Sequence, residues 1–382
     1  MNKKMSFFYF IMGAVLLIGG FLDAIYLAVS HYRAYTDIEY SSFCAISKSF
    51  NCDTVSQSSF SILFGLPIPI WGVLGYLLLI LIFPFIFYNK NTEKRLWNIF
   101  FIISALFFSY SIILAVISTF FIHSYCLMCI VLYAINLSLF IYSYKGIKNL
   151  GNGRVFKGLL YDWFYLKTNA YRLFLIIKLF SAAVILLWLV FPKYWLFEFK
   201  EENITIASGV TEDGNHWIGA REPEITIIEY SDYLCFQCKK MHFHLRSLVV
   251  KNPYKIRLVH RHFPLDSRFN FSIKETLHPG AGKMAMIAIY AGLKDRFWEM
   301  NDLLYNIDHS KNTIDLKEIA LKMNLTPEEL GWALEQQEIR LHLKRDIAMA
   351  AKAGVVGTPS YIINNELFLG TIPPKYLKFN KN

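Results

Sequence analysis

Charged side chains are scarce in this chain. Asp, Glu, Lys and Arg supply only 18% of its 382 residues, against 55% hydrophobic. The mean hydropathy is positive, and together these figures exclude an ordinary soluble protein, in which about a quarter of residues are charged. Part of the chain must lie in lipid. Internal repeats and low-complexity tracts are also absent, which excludes a solenoid. No G-x-G-x-x-G follows a strand, so a nucleotide site of that kind is not available as a source of electrons. No A-x-A-like cleavage site follows the first apolar run, which is also too long for a signal peptide and reads as a retained helix.

Five stretches have the roughly 20 apolar residues that a hydrocarbon core requires: Phe7 to Val29, Ile68 to Tyr88, Trp97 to Ile122, Cys126 to Tyr144 and Leu173 to Phe191. The formal charge of +10 invites a nucleic-acid reading, but its placement argues otherwise. Basic residues gather at Lys3 and Lys4, at Lys90, Lys94 and Arg95, and at Lys145, Lys148, Arg154, Lys157, Lys167 and Arg172. These are the N-terminus and every second loop, the pattern expected of cytoplasmic segments. The outer side then receives Tyr32 to Pro67, the turn around His123 to Tyr125, and everything after Phe191, so all six cysteines face outward. No nucleic acid is expected as a partner.

Past a boundary near residues 193 to 220 the pattern changes to that of a soluble α/β domain. Glu224-Ile-Thr-Ile-Ile-Glu-Tyr alternates as a strand, Cys235 to Val250 reads as a helix, and a second strand runs through Lys255-Ile-Arg-Leu-Val-His. From Pro279 to Lys352 the period is helical, and Thr326-Pro-Glu-Glu supplies an N-cap, a first-turn proline and a capping-box glutamate. Ser360 to Ile363 and Glu366 to Leu369 read as strands joined by a tight turn at Asn364-Asn365.

The cysteines fall into three pairs with none left over: Cys44 and Cys52, Cys126 and Cys129, Cys235 and Cys238. On the oxidising side of a membrane, even pairing fits disulfides. Structural staples are one reading, and for Cys44 and Cys52 it stands open. For the two C-x-x-C pairs a staple closes almost no loop and so stabilises little. At a helix N-terminus the first sulfur of such a pair lies beside unsatisfied N–H groups, which favours its thiolate; Cys235 would attack and Cys238 resolve. A zinc site from Cys235, Cys238, His242 and His244 is disfavoured because the two histidines point to different helical faces, and no metal is expected.

Two resemblances add to this reading. Tyr-Ser-Asp-Tyr-Leu-Cys235-Phe-Gln-Cys238, His260-Arg-His-Phe-Pro-Leu and Gly354-Val-Val-Gly-Thr-Pro359-Ser resemble the DsbA-like branch of the thioredoxin fold over about residues 215 to 375. The resemblance implies that Pro359 is cis and packs against the active-site sulfurs; His260 and His262 read as ordinary strand residues. Cys44, seven residues, then Cys52-Asp-Thr-Val-Ser-Gln-Ser58, Phe64-Gly-Leu-Pro-Ile-Pro-Ile-Trp-Gly and Tyr125-Cys126-Leu-Met-Cys129-Ile-Val-Leu-Tyr133 resemble the vitamin K epoxide reductase family over about residues 8 to 145. That resemblance implies that Cys126 and Cys129 are the redox pair at a quinone, with Cys129 nearest the ring, and that Cys44 and Cys52 carry electrons to them. It also implies that Ser58 stands beside the site and that Tyr133 matches the tyrosine that hydrogen-bonds the substrate carbonyl in animal members. The family's asparagine on the second span has no match among Phe64 to Gly72. Asp23, an acid inside the first span, is a candidate for the quinone site or its proton path, or else pairs within the bundle.

The expected architecture is a membrane α-helical bundle of five transmembrane helices, four of them reductase-like, plus a thioredoxin-fold domain with a helical insertion. Residues 1–150 form the quinone-reducing domain, 151–199 a cytoplasmic loop, the fifth helix and a linker, and 200–382 the outer domain. The expected function is oxidation of thiols in exported proteins, with electrons passing through Cys235/Cys238, Cys44/Cys52 and Cys126/Cys129 to ubiquinone or menaquinone in a bacterial cytoplasmic membrane. A quinol-linked reductase or isomerase, and a scaffold with structural disulfides, are the alternatives. Reporter fusions test the orientation: a cytosol-only reporter gives signal after Lys148 and none after Asn382, and signal at Asn382 reverses the compartment of the cysteines.

Overall fold

The computed structural model describes residues 3–38, 40, 42–44, 46, 50–87, 96–150, 158–160, 162–164, 171–196, 206–307 and 315–377. Lys90, Lys94, Arg95, Arg154, Lys157 and Lys167, on which the charge reading draws, lie outside them. The chain divides into two compact units, Met1–Trp195 and Leu196–Asn382.

In the first unit, long helices α1 (Lys3–Thr36), α3 (Ile68–Phe87), α4 (Trp97–Ile117), α5 (Leu127–Leu150) and α6 (Tyr171–Val190) accompany a short α2 (Cys52–Gln57). All five long helices are long and apolar enough to cross a membrane. Helix α1 outruns its apolar stretch by about two turns, because His31 and Ala34 are buried and Arg33 pairs with Asp37 one turn on, at 2.8 Å. Close helix approach depends on small residues. Gly20 of α1 leaves no room for a Cβ against the Tyr76 ring of α3, and a Cβ at Gly72 would meet that of Ala24 at 3.4 Å. Before α3, the two-residue strands β1 (Ile62–Leu63) and β2 (Leu66–Pro67) form a hairpin whose turn residues, Phe64 and Gly65, both have positive φ.

The segments that the charge reading places outside meet at one end of this unit. Phe50 bridges to Tyr125, the Asn51 amide donates to the Tyr125 carbonyl at 3.0 Å, and His31 bonds the Tyr194 hydroxyl at 2.8 Å.

The second unit is a six-stranded sheet in the order β3-β4-β6-β5-β7-β8, with β3 (Ser208–Val210), β4 (His216–Gly219), β5 (Ile225–Ser231), β6 (Ile256–His262), β7 (Ser360–Ile363) and β8 (Glu366–Leu369). Strands β5 and β6 run parallel and the crossover between them is α7 (Phe236–Lys251). The helical insertion comprises α8 (Ala281–Gly292), α9 (Phe297–Asn306), α10 (Leu316–Lys322), α11 (Pro327–Glu335) and α12 (Gln337–Lys352). The capping box forms as its sequence predicts: the Glu329 amide donates to the Thr326 hydroxyl at 3.1 Å and the Thr326 amide to the Glu329 carboxylate at 2.8 Å. Asn364 and Asn365 both take positive φ, as a type I′ hairpin turn requires. The strands β3 and β4, which extend the sheet beyond β6, are additions to the strands read from the sequence.

Candidate active site

The soluble unit sets its cysteines by helix capping. Cys235 is the N-cap of α7 in extended conformation, and its sulfur accepts from the Cys238 amide at 3.4 Å. The Thr358–Pro359 bond is cis and brings the Thr358 carbonyl within 3.6 Å of the Cys235 sulfur. Cys235 and Cys238 are free and buried.

Their two thiols are unequal. The hydrogen bond from Cys238 lowers the pKa of Cys235, burial opposes this, and the His278 cation and the Cys238 amide add to the lowering. Burial pushes Cys238 well above the ordinary thiol range, and its hydrogen bond to the Cys235 thiolate pushes it further. Because Cys235 ionises at lower pH in the fold than in an unfolded chain, it stabilises the reduced folded domain above the free-thiol pKa. That contribution is lost as pH falls through the folded value. Stabilising the reduced form is what makes a dithiol pair oxidising.

Several neighbours escaped the sequence reading. His278 Nδ1 lies 3.1 Å from the buried carboxylate of Asp232. Burial lowers the His278 pKa, but Asp232 and the Cys235 thiolate outweigh it, so the net shift is upward. Asp232 in turn accepts from the amides of Leu234 at 2.7 Å and Leu265 at 2.6 Å. His260 lies in β6 as read, and its ring forms a fully buried pair with Glu229 at 2.7 Å. The only sequence signal for these groups was the Asp two residues before the motif's Leu234. His242 is held by Asp302 at 2.6 Å and stacks on Tyr305, so it turns away from Cys235 and Cys238.

In the membrane unit, Cys44 and Cys52 are joined in a disulfide with Cα atoms 5.7 Å apart. Asn51 caps α2 by accepting from the Asp53 and Thr54 amides at 2.9 and 3.2 Å, and Asp53 accepts from the Ser42 amide at 3.0 Å. These bonds fix both ends of the loop. The sulfurs of Cys44, Cys52 and Cys126 all lie within 4.8 Å of one another. Cys126 precedes α5 as Cys235 precedes α7, and its sulfur accepts from the Cys129 amide at 3.3 Å.

Cys129 opens on a cavity of about 760 Å³ whose walls are largely apolar. Helix α5 lines it with Cys129, Tyr133 and Asn136, a stripe at i, i+4 and i+7. Ser58 lines it too, with its hydroxyl proton committed to the Val55 carbonyl at 2.8 Å. The Tyr133 hydroxyl carries no hydrogen bond among the described residues, which leaves it free to donate. Several polar lining groups went unnoticed in the sequence. Asn136 accepts from Tyr76 at 2.6 Å and donates to Ser111 at 2.9 Å, and His31 bonds Ser61 at 3.2 Å. Helix α6, read as a span outside the four reductase-like ones, contributes Phe180 and Val184 to the wall, and its Trp188 donates to the Phe64 carbonyl at 2.6 Å.

Asp23 is 6% exposed, and both its carboxylate oxygens lack a hydrogen-bond partner among the described residues. It is not among the cavity's lining residues. An acid inside a membrane helix costs about 2.5–3.5 kcal/mol on insertion scales.

The unequal thiols yield a pH prediction. Alkylation of reduced Cys235 has its midpoint below that of free cysteine, and His278→Gln, which removes the neighbouring cation, moves it upward; an unchanged midpoint removes His278 from the site.

Comparison with known proteins places this geometry. The family model described as Vitamin K epoxide reductase family matches residues 11–144, and that described as DSBA-like thioredoxin domain matches residues 226–379. Among solved structures, the chain is similar to a thioredoxin-like oxidoreductase from Silicibacter pomeroyi, with 24% identity, a TM-score of 0.36, and coverage of 44% of this chain and 89% of that one. It is also similar to Pseudomonas aeruginosa DsbA2, with 22% identity, a TM-score of 0.34, and coverage of 44% and 93%. Among curated proteins, Na(+)/H(+) antiporter NhaA 3 of Salinispora tropica is 30% identical over 165 residues, 43% of this chain and 24% of the antiporter. The chain spans about a quarter of the length of the curated relatives it matches. Residues 11–144, which match the vitamin K epoxide reductase family model, are thus joined in one chain to residues 226–379, which match the DSBA-like thioredoxin domain.

Proposed function

We propose that the protein oxidises thiols of exported proteins and passes the electrons to a membrane quinone. The observation that carries this reading is the placement of four sulfurs: the Cys44–Cys52 disulfide within 4.8 Å of Cys126, and Cys129, three residues on, in the wall of an apolar cavity. A disulfide beside a free thiol is the arrangement that exchange needs, since each transfer is thiolate attack on a disulfide through a mixed intermediate. An apolar cavity of several hundred Å³ with a few polar groups suits a ring-sized lipid-soluble acceptor.

In the proposed sequence, a client dithiol reduces the Cys235–Cys238 disulfide by attack on Cys235. Cys235 then attacks the loop disulfide, and Cys238 resolves that bond. The reduced loop attacks the Cys126–Cys129 disulfide, Cys52 at Cys126. The resulting Cys126 and Cys129 dithiol gives two electrons and two protons to the quinone and closes again as a disulfide. Tyr133 donates to a quinone carbonyl, and Ser58 packs beside the ring. Pro359, by way of the Thr358 carbonyl next to Cys235, positions client chain against the reacting sulfur. The direction follows from the ends of the relay. All six cysteines fall on one side in the charge reading, and a lipid-soluble acceptor is the outlet there. The compartment is the bacterial cytoplasmic membrane, with the thioredoxin-fold domain on its outer face.

Cys129→Ala is expected to abolish disulfide formation in an exported reporter, as are Cys126→Ala and Cys235→Ala; full activity of Cys129→Ala removes the quinone step. The relay itself is tested by trapping. Cys238→Ser leaves Cys235 able to attack but unable to be released, so a stable Cys235–Cys44 disulfide accumulates and is visible by mass spectrometry of non-reduced peptides. An intact Cys44–Cys52 disulfide beside a free Cys235 shows instead that the two domains of one chain do not exchange electrons.

A further inference from the structure

Asp23 is the buried charge that the relay leaves unused. Its position on α1 is defined by its neighbours on the same face. Gly20, one turn earlier, packs on the Tyr76 ring. Leu27, one turn later, packs with Cys44, Cys52 and Cys126. Asp23 therefore lies on this face between the sulfurs and Tyr76. A carboxylate 6% exposed with both oxygens unbonded among the described residues does not serve bundle pairing. A buried acid kept without a partner is a candidate for moving protons.

The cavity supplies the other end. Tyr76 is one of its wall residues, and Asn136 holds its hydroxyl at 2.6 Å. Cys129 reaches the cavity directly, whereas Cys126 is not among the wall residues and is 3% exposed. A proton leaving Cys126 thus has no direct route to an acceptor in the cavity.

We propose that Asp23 accepts the Cys126 proton when the Cys126–Cys129 dithiol is oxidised, and passes it to the cavity through the Tyr76 hydroxyl. This rests on the reading that the acceptor is a quinone. The balance is as follows: two S–H bonds break, one S–S bond forms, and the quinone gains two electrons and two protons. One proton comes directly from Cys129. The other goes from Cys126 to the Asp23 carboxylate; the Tyr76 hydroxyl, whose proton rests on the Asn136 oxygen at 2.6 Å, releases that proton to a quinone oxygen as it takes the one from Asp23.

The test uses the full chain in lipid nanodiscs, reduced by dithiol without oxygen, with reduction of a short-chain ubiquinone analogue followed from about pH 5 to about pH 9. Asp23→Asn is expected to slow the reaction on the order of a hundredfold near neutrality. Its rate should then climb with pH, because bulk hydroxide must take the proton, while the wild-type rate stays nearly flat there. Asp23→Glu restores most of the rate and the flat profile. Asp23→Asn with the wild-type rate and profile overturns the proposal, as does an Asp23→Glu chain as slow as Asp23→Asn, which marks a packing role. If Asp23→Asn does not fold, Tyr76→Phe carries the test: slower, pH-dependent turnover supports the proposal and wild-type kinetics overturn it. A wild-type chain that reduces no quinone overturns the functional reading along with it, whereas active wild type beside an unaltered Asp23→Asn overturns this inference alone.

Discussion

The sulfurs of the membrane unit can meet only because a loop is held against a helix end. The Asn51 amide bonds the Tyr125 carbonyl at 3.0 Å, and those residues immediately precede Cys52 and Cys126. Asn51 also caps α2 and so fixes the direction in which Cys52 leaves. Thiol exchange requires near contact between attacking and attacked sulfur. These few backbone bonds place Cys44, Cys52 and Cys126 within 4.8 Å of one another, and the cavity beyond Cys129 has a use only if they do.

The two C-x-x-C pairs apply one device in two solvents. In each, the first sulfur sits just before a helix and accepts the amide of the fourth residue, Cys238 in one case and Cys129 in the other. The surroundings then differ. Cys235 has a polar setting in which the Cys238 hydrogen bonds and the His278 cation favour the thiolate, while burial and the Asp232 carboxylate oppose it. Cys126 lies among Leu27, Cys44 and Cys52, and Cys129 faces an apolar cavity.

Much of this was legible in the sequence where the information is local. The apolar runs predict the five long helices to within a few residues, apart from the polar extensions of α1 and of α5, which runs on from Tyr144 to Leu150. Thr326-Pro-Glu-Glu and Asn364-Asn365 predict a cap and a turn that form as written. Motif spacing also points to both C-x-x-C pairs at helix starts. Less legible were relations between residues far apart in the chain. Nothing in the sequence near Glu229 announces His260, and His278 lies 46 residues from Asp232. Asn136 looked like one more polar residue in a span until Tyr76 and Ser111 converged on it. Helix α6 read as a span outside the four reductase-like ones, and its part in the cavity wall depends on packing that periodicity does not encode. Strands β3 and β4, of three and four residues, show no alternation of the kind by which β5 and β6 are recognised.

The central claim is that electrons leave through the membrane unit to a quinone. The most direct measurement is anaerobic reduction of ubiquinone and menaquinone analogues by the purified chain with a client dithiol as sole electron source. The account predicts one quinone reduced per client disulfide formed, with turnover that continues as long as quinone is supplied. A single stoichiometric oxidation of client thiols that quinone does not renew, or quinol-driven reduction of client disulfides in its place, would contradict it.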